Sequence, residues 1–90
     1  MSSPSLAAQL TELAAWHTIE RAPFRARAYA FAAELAESRE QELRDAWKKE
    51  GVKGLRAFPG IGEGLAQHFQ DYFTRGAIPE WRALRKRFPV

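Results

Sequence analysis

Apolar side chains return at the three-and-four spacing of an α-helix along nearly the whole chain, and no stretch alternates apolar with polar residues long enough to build a strand. That pattern restricts the fold to the all-α class. A chain of 90 residues buries a smaller share of its surface than a longer one, so its helices must share a single core. The architecture expected is one domain over residues 1–90, a compact bundle of about four to six short helices.

Punctuation divides the pattern. Ser3-Pro4 reads as a cap and first-turn pair, after which Leu6, Leu10, Leu13 and Ala14 share a face with Trp16 beside it, to an end near Glu20. Pro23 opens a second helix, with Phe24, Ala28, Phe31 and Leu35 as its inward stripe and Arg25 and Tyr29 one step round. Ser38 with Gln41 resembles a capping box for a third helix carrying Leu43, Ala46 and Trp47, with Lys48-Lys49 before Gly51 at its end. Val52 to Phe58 has room for one short helix with Leu55 inward, before Pro59-Gly60-Ile61-Gly62 interrupts the period. A further helix runs through Leu65, Phe69, Tyr72 and Phe73 to Arg75, where Gly76 supplies a left-handed stop, and Pro79 starts a last helix holding Trp81 and Leu84. Trp16, Trp47 and Trp81 are all expected in the core.

Composition removes several function classes. Without cysteine there is no disulfide framework and no thiolate cage, and His17 and His68 alone are too few to replace one. The start lacks a basic leader, and no apolar run approaches the ~20 residues of a membrane span, so a soluble cytoplasmic chain without membrane partners is expected. The net charge of +3 is unevenly placed. Residues 1–50 are slightly acidic, whereas the basic excess lies in 51–90, which suggests either a surface facing a polyanion or a solvated basic face.

One segment, Leu55 to Ala66, does more than build core. Two glycines around one apolar residue, set between a short helix and an amphipathic one, turn the backbone tightly and leave amides exposed at the next helix's start. With Ile61 pointing inward, the N–H groups of Gly62 to Gly64 and the positive end of the helix dipole face an anion. The alternative is an ordinary interhelical turn.

Phe58-Pro59-Gly60-Ile61-Gly62 followed by Gly64-Leu65-Ala66 resembles a helix-hairpin-helix motif over about residues 52–75. Together with Phe24-Arg25-Ala26-Arg27-Ala28-Tyr29 and Phe73-Thr74-Arg75-Gly76, it is similar to the small N-terminal domain of the DNA polymerase X (polymerase beta-like) family over roughly residues 5–89. The resemblance implies a monomeric module, free-standing or part of a larger polymerase or repair protein, that grips single-stranded, nicked or gapped DNA with a 5′-phosphate. It implies a phosphate pocket at Arg25, Tyr29 and Arg56 and a ring stacked on a template base at Phe24, which on its apolar stripe could equally be core. Gly60, Gly62, Glu63, Gly64, His68 and Arg75 complete the implied DNA-binding set, and Arg82, Arg85, Lys86 and Arg87 extend it. No cofactor is required, but the resemblance implies sodium or potassium held by the backbone carbonyls of Arg56, Phe58 and Ile61.

The sequence departs from that pattern at the helix after the turn. Where some members carry a lysine that attacks a 5′-deoxyribose aldehyde, this chain has His68, and imidazole forms no imine. Gly64 replaces a second phosphate-binding lysine, and Glu63 brings a carboxylate to the amides a phosphate would use. The expectation is therefore a non-catalytic DNA-binding module. Two alternatives stand beside it: a lyase using another amine, or a protein-interaction module on the same scaffold.

Overall fold

The computed structural model describes residues 4–88. Five helices, α1 (Leu6–Ile19), α2 (Pro23–Glu50), α3 (Val52–Arg56), α4 (Glu63–Arg75) and α5 (Pro79–Arg87), make an all-α bundle with no strand among the described residues. Leu6, Leu10 and Leu13 of α1 are fully buried and pack along α2, with Leu43, Leu55, Phe69 and Ile78 closing the core.

The N-cap of α1 is Ser5, whose hydroxyl accepts from the Ala8 amide at 3.1 Å. The expected Ser3-Pro4 cap is corrected: Pro4 precedes the cap, and Ser3 lies outside the described residues. One turn on, buried Gln9 donates from Nε2 to the carbonyls of Pro4 and Gly76 while its Oε1 accepts from the Ile78 amide at 2.8 Å. A single amide side chain thus satisfies backbone groups from both ends of the chain. Arg21, in left-handed conformation at φ 58, turns α1 into α2.

In the middle of the chain one expectation is refined and one is corrected. A new helical segment does begin beside Ser38: the 28 residues of α2 are two helical stretches joined across a kink at Arg39 (φ −138, ψ 32), but Ser38 does not cap the second, since its hydroxyl donates back to the Glu34 carbonyl at 3.0 Å. Such back-bonding satisfies the hydroxyl within the first stretch and bends the helix, so the boundary is a kink rather than a capping box. The inward stripe is also rotated. Tyr29, Ala32, Ala33, Ala36 and Leu43 are buried, whereas Phe24 is 80% exposed, Phe31 is 44% exposed and Ala28 faces solvent. Alanines lie all round this helix and blur its apolar phase, and the small faces of Ala32, Ala33 and Ala36 admit α1 to close approach where phenylalanine rings would hold it off.

The remaining punctuation is as the sequence suggests. Gly51 (φ 65) separates α2 from α3, and Gly76 ends α4 in left-handed conformation. Gly54 is demanded by packing, since a Cβ there would lie 2.4 Å from the Ala46 carbonyl oxygen. Of the three tryptophans, Trp81 is buried, but Trp47 is only partly so, with Nε1 donating to Gln70, and Trp16 packs on Phe88 at the outer edge of α1 and α5.

Candidate nucleic-acid interface

The turn between α3 and α4 is built on Ile61, which is buried and anchors it, while Gly60 takes φ 83, a conformation open to glycine at little cost. The Ile61 amide donates to the Phe58 carbonyl at 3.1 Å and closes the turn. Gly62 then enters α4 with extended backbone, and no side chain caps the first amides of that helix. Gly62, Glu63 and Gly64 are exposed. A Cβ at Gly62 or at Gly64 would meet nothing within 4 Å. Neither glycine is needed by the fold, and inside α4 Gly64 costs about 1 kcal/mol relative to alanine. Two such residues leave the backbone open at the positive end of the helix on either side of Glu63, whose carboxylate stands in the first turn.

The outer face of α2 continues this surface. A Cβ on Gly60 would meet the Phe31 ring at 2.6 Å, so that ring is seated directly on the hairpin turn. The same face presents Ala28 and, near the start of α2, Phe24, with the Arg27 guanidinium 5.4 Å from the Phe24 ring centroid and Arg25 exposed beside it. On the other side, the Arg39 guanidinium lies 5.4 Å from the Phe58 ring centroid. Exposed rings, arginines and free amides therefore lie on joined elements.

Behind this face, a polar cluster joins α1, α2, α4 and α5. The Tyr29 hydroxyl donates to Glu80 Oε1, His68 Nε2 lies 2.9 Å from the Tyr29 oxygen and 3.3 Å from Glu80 Oε1, and His17 Nε2 lies 3.0 Å from Glu80 Oε2. His17 also stacks on the Tyr29 ring at 4.8 Å. The hydrogen bond from His68, reinforced by Tyr29 and both imidazoles, outweighs burial and holds the Glu80 carboxyl down to about 2. Burial, followed by the hydrogen bond to Glu80, pushes the Tyr29 phenol well above its ordinary range.

The helix-hairpin-helix domain model matches residues 1–78, from before α1 to the start of α5. The chain belongs to the helix-hairpin-helix domain family. No curated protein and no solved structure matches it. Domains with this hairpin generally bind nucleic acid.

The candidate residues divide into three groups around the hairpin. Gly60, Gly62, Glu63 and Gly64 form the turn itself, with Phe24 and Arg25 on the α2 face that Phe31 joins to it. Tyr29 and His68 come together, but through Glu80, so the Tyr29 hydroxyl already has an acceptor within the protein. Arg56, exposed at the end of α3 just before the turn, and Arg75, exposed at the end of α4, make no side-chain hydrogen bond or ion pair to either group among the described residues; Arg75 lies about 18 Å along α4 from the hairpin. Sequence reasoning missed Phe31, His17 and Glu80. His17 continues the Leu6, Leu10, Leu13 face of α1 and was readable as a buried polar group, whereas Glu80 looks like any acidic residue in a helix's first turn.

Proposed function

We propose that the chain binds DNA without regard to base sequence, as a non-catalytic gripping module of the polymerase X type acting on single-stranded, nicked or gapped DNA during repair or synthesis. The observation that carries this reading is the solvent-facing Phe24, flanked by Arg25 and Arg27 on the face that Phe31 joins to the hairpin turn. A ring left in water beside arginines offers a base-stacking platform worth about 1–3 kcal/mol per base, and stacking tolerates any base. The hairpin amides and Arg56 would supply phosphate contacts, which position a strand without reading it. A 5′-phosphate preference is not part of the proposal, because Glu80 already holds the Tyr29 hydroxyl.

Fluorescence anisotropy with single-stranded and gapped DNA tests the reading. Binding is expected to weaken steeply with salt and to be lost on joint reversal of Arg25 and Arg56 to Glu; affinity indifferent to both would overturn it. The carbonyls of Arg56 and Ile61 accept no protein hydrogen bond among the described residues, and that of Phe58 has a lone pair to spare. They suit a monovalent cation next to a phosphate, so replacing potassium with tetramethylammonium at constant ionic strength should weaken binding. With imidazole at His68, borohydride trapping on an abasic 5′-end should give no cross-link.

A second reading rests on a different surface. Trp16, Ile19, Leu84 and Phe88 line an apolar groove of about 450 Å³ between α1 and α5, and Ile19 is 71% exposed. That groove favours a protein partner over DNA. An Ile19→Glu substitution that leaves DNA affinity intact while abolishing a partner's binding would support it.

A further inference from the structure

The Glu80 carboxylate is surrounded as a small bound oxyanion would be. Tyr29 from α2, His68 from α4 and His17 from α1 converge on its two oxygens, and each is a hydrogen-bond donor in the neutral or protonated state that this geometry requires. The three donors are carried on separate helices, with Tyr29 and His17 buried in the core packing of α2 and α1 and His68 on α4 directly before buried Phe69. The pocket is not sealed. The Glu80 side chain keeps about a third of its surface in solvent, and it borders a cavity of about 160 Å³ walled by Leu13, Trp16, Ala83, Leu84 and Arg87. Space and a further guanidinium therefore lie next to the carboxylate. The Arg25 charge also acts on Tyr29 from the exposed side of α2.

We infer that Glu80 is a resident anion that determines end specificity: its carboxylate fills the pocket of Tyr29, His17 and His68 and excludes a terminal phosphate, so that this chain grips DNA without reading whether the 5′-end is phosphorylated. Because the carboxylate is tethered, its effective concentration at the donors far exceeds that of any free phosphate. A second anion would also meet like charge at the pocket mouth. The inference rests on the DNA-binding reading for its biological consequence, but the pocket can be tested without DNA.

The test uses the full chain, Glu80→Ala and Glu80→Gln, with retained helix and cooperative melting checked by circular dichroism. Two gapped duplexes that differ only in a 5′-phosphate or a 5′-hydroxyl are titrated, and separately inorganic phosphate is titrated at constant ionic strength while the ring signals of His17 and His68 are followed by NMR. The unaltered chain is expected to bind both duplexes equally and to show no saturable response to phosphate. Glu80→Ala should prefer the phosphorylated duplex several-fold and show saturable shifts at both histidines, and Glu80→Gln, whose amide still accepts from Tyr29 but carries no charge, should fall between. If Glu80→Ala does not fold, Glu80→Gln decides alone: a partial preference supports the inference and indifference to phosphate overturns it. A several-fold 5′-phosphate preference in the unaltered chain, or a folded Glu80→Ala whose histidines ignore phosphate, also overturns it. Failure of every chain to bind either duplex would sink the DNA reading instead, and the phosphate titration would still decide the pocket.

Discussion

At Gly64, the local cost of a glycine and the absence of any neighbour that requires one point in the same direction. Gly64→Ala is expected to stabilise the fold by up to about 1 kcal/mol, seen as a higher Tm, while weakening DNA binding by placing a methyl group over the hairpin amides. Gly60 should behave in the opposite sense. Its left-handed φ and the Phe31 ring 2.6 Å from a would-be Cβ mean that Gly60→Ala must cost at least about 1–2 kcal/mol of stability, read from chemical denaturation. Phe24 separates binding from folding most cleanly. Being 80% exposed, it can be changed to Ala within about 0.5 kcal/mol of the original stability, yet the change should lower affinity for single-stranded DNA by about 1–3 kcal/mol. That Phe24 faces water was undecidable from its neighbours in sequence, because in an alanine-rich helix two adjacent apolar stripes have the same period.

Among the elements, α5 is the one whose attachment depends on ionisation. Its Glu80 faces His17 of α1, Tyr29 of α2 with Arg25 one turn away, and His68 of α4. The folded carboxyl titrates near 2 rather than at its ordinary 4.5, so the stabilisation it brings is fully present above that ordinary value and is lost as pH falls from about 4.5 towards 2. Thermal melts across that window should show a steeper loss of Tm for the unaltered chain than for Glu80→Gln, and identical slopes would contradict this assignment. The helix α2 shows a different control. Its buried alanines set how closely α1 approaches, so Ala36→Leu, an overpacking change, is expected to destabilise the bundle by about 1–3 kcal/mol. Helix starts and stops marked by Pro23, Gly51, Gly76 and Pro79 were readable because they act through local backbone geometry. The boundary near Ser38 was readable too, as the kink at Arg39, but its form was not, since the hydroxyl could satisfy itself equally by capping a new helix or by bonding back to Glu34.

For the molecule as a whole, the charge asymmetry between the two halves of the sequence does not translate into two faces. Arg25 and Arg27, from the slightly acidic half, stand on the surface that Phe31 joins to the hairpin, and Arg75 from the basic half lies well away along α4. Composition by segment therefore understates how much of the proposed DNA surface comes from α2. The all-α class, most of the helix ends and the hairpin with its inward Ile61 were determined by the sequence alone, because periodicity, proline and glycine act over a few residues. Which face of α2 is buried, the union of Phe31 with Gly60, and the meeting of Tyr29, His68 and Glu80 were decided only by the tertiary structure. Each of those depends on how closely side chains far apart in the chain pack against one another, and no local preference encodes that distance.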